Sequence, residues 1–333
     1  MVDETVSRHL MLVRELSTPG GVLSPASPHV SMKNPQWWRD GKPTPQRRAL
    51  HRRLLDEEIA EAGAVDDERR AIVMAGPPGA GKGRIQADGL ETESGRHLRI
   101  DADDFKKRLL REAIADGSLE AWLKPAKLRA LEDDGERFFP LEMSALVHEE
   151  SSYLAQQLRQ RLIAEGRNIL IDTVLSDPEK AVLLGEQLEA AGYRIAVVDV
   201  EVSQSLSSAR IELRWREAYE EALAGGDPLG GRWVPSEYAR DVFAGADGRS
   251  RPEQAARALA DQCGAVLRHR VYSTTNDQAA RGEGPTLVVD RARAEPGAAL
   301  EAVPIEPSST PSTSPAGRSR GHRQSSKDQD RGR

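Results

Sequence analysis

Apolar and polar positions change period several times along the chain, and each change marks an element. From Gln46 to Glu61, Leu50, Leu54, Leu55 and Ile59 recur at helical spacing, which predicts an amphipathic helix whose arginines form a solvated face. Residues 71–75, Ala-Ile-Val-Met-Ala, are a continuous apolar run of strand length, as in a strand buried on both faces. A short strand at His97–Ile100 and a helix over about 104–117 follow, then a polar, irregular stretch to Pro140 that contains Trp122. Leu146, Leu154, Leu158 and Leu162 share one side of a helix over about 142–165, stopped by Gly166. Asn168–Ile171 predicts a buried strand, and Asp177-Pro178 opens a helix that Gly192 ends. Arg194–Val202 is the longest strand signal, and Ser203 can cap the helix after it, which runs to about Ala224. A glycine-rich loop at 225–235, helices near 236–244 and 252–263, and weak strands at 265–272 and 286–289 complete the pattern. This alternation predicts an α/β fold of three layers, a mostly parallel sheet flanked by helices.

The two ends read differently. Residues 1–45 carry a short helix, Glu4–Leu16, and then a Pro, Gly and Ser segment in which Trp37 and Trp38 are expected to dock on the core, with a partner as the alternative; they are expected to form an irregular N-terminal extension to a domain at 46–290. After Asp290 the chain turns to Pro, Ser, Ala and Glu and ends in Arg mixed with polar residues. Too little apolar surface is available there to offset an ordering entropy of about 1–2 kcal/mol per residue, so 291–333 is expected to be a disordered tail.

Composition narrows the function classes. A chain of 333 residues holds one α/β domain of about 220–250 residues with length to spare. The net charge of -6 argues against general nucleic-acid binding, and no nucleic-acid partner is expected. Lone Cys263 excludes an internal disulfide and a cysteine metal cluster. No apolar run reaches the roughly 18 residues of a membrane span, and the start Met-Val-Asp-Glu lacks the basic and apolar regions of a signal peptide, so no membrane partner and a cytoplasmic location are expected.

The apolar run at 71–75 breaks into Gly76-Pro77-Pro78-Gly79-Ala80-Gly81-Lys82-Gly83-Arg84. Glycines at 76, 79 and 81 permit the backbone to turn successive N–H groups toward one anion, Lys82 adds a point charge, and the helix that begins there adds its positive end. A strand leading into this spacing predicts a phosphate loop of the P-loop NTPase-like fold, binding a nucleoside triphosphate. Gly83 stands where most such loops carry the hydroxyl that ligates Mg2+, so the metal is expected on phosphates, water and a strand-end carboxylate, Asp172.

Ligands in open parallel sheets bind at the carboxyl ends of the strands. The loop, Asp101, Asp103, Asp104, and Asp172-Thr173 should therefore face one crevice. Carboxylates there either accept the proton of an attacking hydroxyl or hold magnesium, and Asp101–Asp104 can also serve as a helix cap. Arg210, Arg214 and Arg216 lie on the helix after the long strand, and Arg232 lies in a loop stiffened by Pro228 and Pro235. Planar guanidinium groups match a transferring phosphoryl group, and such a loop can close over it. Arg216 instead has Glu212 and Glu217 nearby and reads as part of a solvated face.

Five stretches together resemble the zeta toxin family of small kinases, over roughly residues 46–275. They are Gly-Pro-Pro-Gly-Ala-Gly-Lys at 76–82, Ile-Asp-Ala-Asp-Asp-Phe-Lys at 100–106, Asn-Ile-Leu-Ile-Asp-Thr at 168–173, the Glu-Leu-Arg-Trp-Arg at 212–216, and Asp-Pro-Leu-Gly-Gly-Arg-Trp-Val-Pro at 227–235. The resemblance implies transfer of the γ-phosphate of ATP or GTP to the 3'-hydroxyl of UDP-N-acetylglucosamine or a related nucleotide sugar. That family also includes enzymes blocked by a separate small helical antitoxin that occupies the nucleotide site, and the resemblance makes such a partner a possible one here. By the same resemblance Lys82 grips phosphates, Asp103 is the base, Arg214 and Arg232 stabilise the transferring group, and Asp101, Asp104, Asp172 and Thr173 contact substrate. Asp172 stands where the family has glutamate, and Val174 where it has threonine, with Thr173 as the substitute. Another metabolite or nucleotide kinase, or a nucleotide-binding regulatory module without efficient transfer, are the alternative readings.

Overall fold

A computed structural model describes residues 2–87 and 96–305. Helix α1 (Val2–Leu16) leads into a two-stranded ribbon of β1 (Trp38–Arg39) and β2 (Lys42–Pro43), and α2 (Pro45–Ala62) follows. The alternating core then runs β3 (Arg70–Ala75), α3 (Lys82–Ala87), β4 (Leu98–Asp101), α4 (Ala102–Ala115), α5 (Ala126–Asp133), α6 (His148–Glu165), β5 (Ile169–Asp172), α7 (Pro178–Ala190), β6 (Arg194–Val202) and α8 (Gln204–Leu223). It closes with α9 (Ser236–Asp241), α10 (Arg251–Gln262), β7 (Val266–Thr274), α11 (Asn276–Ala280), β8 (Thr286–Ala292) and β9 (Glu301–Ala302).

The strands form one sheet in the order β4-β5-β3-β6-β7-β8-β9. The first five are parallel, with β3 at the centre between β5 and β6. β8 and β9 turn antiparallel, because the segment between Thr274 and Thr286 is too short for the crossover of a dozen or more residues that a parallel return requires. The two faces of β3 are both covered: Ala71, Val73 and Ala75 join the main core, while Ile72 and Met74 pack with Val198, Val200, Ala80 and Ile85. A continuous apolar run is what such a position demands.

Three stretches differ from the sequence expectation. The polar stretch before Pro140 is not irregular throughout: it holds a π-helical turn at Leu119–Leu123 and α5, which seats Leu128 in the core. The long helix starts at His148, not at 142, because Pro140–Val147 winds as a 3-10 helix whose side chains are buried on nearly every side, leaving no single apolar stripe. The chain also stays ordered beyond Asp290, since β8 continues to Ala292 and β9 pairs with it; the rest of the expected disordered tail, 306–333, lies outside the described residues.

The segment before residue 46 is built into the domain. Val6, Leu10, Val13 and Leu16 of α1 enter the main core, and Trp38 is buried edge-on against Tyr153 at 5.5 Å. Arg47 departs from the solvated face expected of α2. It is 6% exposed, lies 4.1 Å over the Trp37 ring, and donates at 2.6 and 2.8 Å to both oxygens of fully buried Glu150, which also bonds His51 at 2.7 Å. Burial pushes the Glu150 carboxyl up, but the bonds from Arg47 and His51 outweigh it and bring the group down to about 2.

Removing one partner of such a pair strands the other charge in the core. Arg47→Met should cost about 3–5 kcal/mol in urea unfolding at pH 7. Because the folded carboxyl titrates below its ordinary 4.5, its contribution is complete above pH 4.5 and is lost as pH falls toward 2; Glu150→Gln should flatten the fall in stability across that window.

Candidate active site

The end of β3 runs directly into the phosphate loop. Gly76 has φ 137°, and a Cβ there would sit 2.3 Å from the Val200 carbonyl oxygen of β6, so only glycine lets the two backbones meet. Several of the loop's carbonyls are held by donors on neighbouring segments. Ser207 Oγ donates to Pro78 at 2.7 Å, Arg210 to Gly79 and Ala80 at 3.1 Å each, and Lys82 Nζ to Gly76 at 2.9 Å. Pro77 O takes the Ala80 N–H at 3.2 Å. With these carbonyls engaged, the peptide groups can present N–H toward an anion. A side chain at Gly83 would have open space, since a Cβ there meets nothing within 4 Å, and Arg84 turns aside to lie against Gly284. Burial lowers the proton affinity of Lys82, and the charges of Asp172 and Asp101 act against that.

Strand register sets the acidic side. Asp172 pairs with Met74 on one side and with Asp101 on the other, so two carboxylates stand together at the carboxyl ends of β5 and β4, beside the loop. Lys82 Nζ lies 3.8 Å from Asp172 Oδ1, and Gln86 Nε2 donates to Asp172 Oδ2 at 2.8 Å. Asp101 caps α4 by accepting the Asp103 N–H at 2.8 Å. Burial first, and then the nearby Asp172, push its carboxyl up to about 6. Asp103, in the first turn of α4, accepts Lys106 Nζ at 2.9 Å and pairs with Arg232. Lys106 is itself buried, and burial brings its ammonium down to about 8. Asp104 faces Arg99 and Lys107.

The basic side comes from α8 and the loop at 225–235. Gly231 is pressed so tightly on α8 that a Cβ would lie 2.3 Å from the Trp215 carbonyl oxygen, and this contact carries Arg232 to Asp103. Arg214 is exposed on α8, close enough for its charge to lower the proton affinity of Lys82. Arg216 points elsewhere, to Ser7 Oγ of α1 at 3.2 Å. Thr173 spends its hydroxyl locally, accepting the Leu175 N–H at 3.3 Å. Lys82, Asp101, Asp103, Asp172 and Arg232 thus gather on one side of the sheet, with Asp104 and Arg214 beside them, while Thr173 follows Asp172 with its hydroxyl turned to Leu175.

Sequence reasoning missed Arg99 and the Asp199–Glu201 pair, and it set Arg210 among the phosphoryl-binding arginines. Arg99 reaches Asp101 at 2.9 Å, Asp172 at 3.8 Å and Asp104, and so ties the acidic side together. Its position two residues before Asp101 puts both on one face of β4, so strand period alone pointed to it. Arg210 proves to be the clamp on the loop carbonyls. Asp199 and Glu201 form a carboxyl pair on β6. Burial raises Asp199 well above the ordinary carboxylate range and brings Glu201 to about 7; Ser250 Oγ donates to Glu201 at 2.8 Å. A cavity of about 330 Å³ adjoins the loop, walled by Leu206, Ala209, Arg210 and Leu213 of α8, with Arg84 and Glu283 opposite. Among the described residues no helix is long and apolar enough to cross a membrane, and no group of three or more His, Cys, Asp or Glu side chains gathers as a metal site.

Residues 133–279 match the zeta toxin family. The match includes Asp172, Arg214 and Arg232, while the phosphate loop and Asp101–Asp104 precede it. Similar solved structures include the AvrRxo1-ORF1:AvrRxo1-ORF2 complex with sulphate ions, at 19% identity and TM-score 0.46, covering 79% of this chain and 71% of that one. The same complex with ATP is 18% identical, with TM-score 0.46 and coverage of 75% and 68%. A structure of the PezAT chromosomal toxin-antitoxin system of the human pathogen Streptococcus pneumoniae is 16% identical, with TM-score 0.44 and coverage of 77% and 83%. No curated protein matches. The chain therefore resembles the zeta toxin family, and the resemblance runs through the strand end at Asp172, the helix of Arg214 and the loop of Arg232.

Proposed function

We propose that this protein is a nucleotide-dependent small-molecule kinase of zeta toxin type, which transfers the γ-phosphate of ATP or GTP to the 3'-hydroxyl of UDP-N-acetylglucosamine or a related nucleotide sugar. One observation carries the reading: a carboxylate able to take a hydroxyl proton, Asp103, is bonded to a guanidinium able to take a phosphoryl group, Arg232, within the crevice that holds the phosphate loop. The nucleotide-sugar acceptor and the separate helical antitoxin rest on the family resemblance alone.

The loop N–H groups and Lys82 hold the β- and γ-phosphates, and the cavity between α8 and Glu283 receives the base. The acceptor oxygen forms a bond to the γ-phosphorus while the bond to the β-phosphate oxygen breaks and the nucleoside diphosphate leaves. Asp103 takes the proton released from the acceptor hydroxyl, and Lys106 keeps its carboxylate turned into the crevice. Arg232 and Arg214 bind the charge spread over the phosphoryl oxygens. A strand-end carboxylate beside the loop fits magnesium, which takes one or two carboxylates along with phosphates and water; Asp172 would hold it and Gly83 contributes no ligand. When bound, the ion neutralises phosphate charge.

Incubation with ATP, magnesium and UDP-N-acetylglucosamine should give a nucleotide-dependent phosphorylated sugar by mass spectrometry. If only a metabolite extract yields a product, the acceptor is another; if neither does, the kinase reading is wrong. Asp103→Asn should leave nucleotide affinity within about two-fold and lower transfer by about 10²–10⁴. Arg232→Ala should reduce kcat by about 10³ or more while nucleotide binding weakens far less, and the opposite split would make Arg232 a ground-state clamp.

A further inference from the structure

Helix α1 brings one polar side chain into the core along with its apolar stripe. His9 is fully buried, and its ring lies against Phe138 at 4.8 Å, Tyr219 at 4.6 Å and Trp215 at 6.1 Å. Nδ1 meets Glu136 Oε2 at 2.9 Å and Nε2 meets Glu142 Oε1 at 3.1 Å. Two carboxylate acceptors call for two N–H donors, which an imidazole supplies only as the cation. Glu142 is buried as well; it also takes Trp215 Nε1 at 3.1 Å and the Phe139 N–H at 2.9 Å.

The chain of contacts continues to the arginines of the crevice. Trp215 follows Arg214 on α8, and its ring meets that of Trp233 edge-on at 6.2 Å; Trp233 follows Arg232. A second link runs outside it: Arg14 of α1 lies 5.5 Å from the Trp233 ring and donates to Glu212 at 2.6 Å. A buried charge cluster adds less stability than well-packed apolar groups of the same volume, but it fixes geometry because each bond has one partner.

We propose that His9 is a positioning residue for phosphoryl transfer, fixing through Glu142 and Trp215 the helix that carries Arg214 and the loop that carries Arg232; this rests on the kinase reading above. Burial lowers the proton affinity of the ring, the two carboxylates overcome it, and His9 titrates above its ordinary 6.5. The charged and titratable groups around it are Arg8 on its own helix, which bonds Glu136 at 3.0 Å, then Glu136 itself, Glu142, Arg137 and the Tyr219 hydroxyl of α8. Since the folded pKa is the higher one, the clamp is complete below pH 6.5 and is released as pH rises through the folded value.

The test compares His9→Leu and His9→Gln with Leu188→Ala, a core variant in α7 remote from the network. Amide hydrogen exchange at 227–235 should quicken by about ten-fold in His9→Leu. Transfer should show kcat lower by about 10–10² at unchanged nucleotide affinity. His9→Gln should recover most of kcat and lose the decline of kcat toward high pH. Leu188→Ala should lower Tm without either change. Unchanged exchange at 227–235 in His9→Leu, or a kcat loss in Leu188→Ala that follows its Tm in the same way, would overturn the proposal. If the wild-type protein transfers phosphate to no acceptor, the kinase reading fails, and exchange at 227–235 still decides whether His9 holds the loop. Should His9→Leu not fold, His9→Gln and its pH profile decide instead.

Discussion

A backbone that turns its N–H groups toward an anion must turn carbonyls away from it, and those carbonyls need donors of their own. Here α8 supplies most of them, with Ser207 on Pro78 and Arg210 on Gly79 and Ala80. The position of α8 is thereby tied to the shape of the phosphate loop. Gly76 completes the tie, because the loop leaves β3 so close to β6 that Val200 O takes up the space a side chain would need. Everything carried on α8 beyond Arg210, including Arg214 and Trp215, inherits its position from that fit.

The acidic half of the crevice is organised by strand register, without any comparable loop. Parallel pairing sets Asp101 beside Asp172, and two neighbouring carboxylates partly desolvated in this way oppose each other's ionisation. Arg99 relieves the conflict by lying along both, and Lys106 gives Asp103 a fixed orientation from within α4. Asp103 and its neighbours are therefore held in large part by cations that come from the acidic segment itself. Arg232 crosses from the other half to Asp103, as Lys82 does from the phosphate loop toward Asp172, so the glycine-rich loop is one of the two places where the halves of the crevice meet.

What could be read in the sequence follows the range of the interactions involved. The loop at 76–82, the central strand and the strand-end carboxylates depend on near neighbours and on a period of two, and all appear where they were expected. Ser203 caps α8, and Gly166 ends α6 in the left-handed conformation, because such signals act over a few residues. His9 and Glu142 lie 133 positions apart, and no period connects them. The buried Arg47 escaped because charge and helical spacing suit a solvated face equally well, and only Glu150, 103 positions away, decides its burial. The antiparallel edge escaped for the opposite reason: Glu301–Ala302 is too short to stand out, and it forms a strand only because β8 offers it an open edge.

The place of β3 also has a consequence for synthesis. Ala71 pairs with Ile169 and with Ile195, so the strand that delivers the phosphate loop leaves the ribosome on the order of a hundred residues before either hydrogen-bonding neighbour exists. Most of the donors that hold the loop's carbonyls come later still, on α8. A nascent chain therefore carries the complete loop sequence while lacking the groups that fix its shape, and these are complete only once β6 and α8 have been translated.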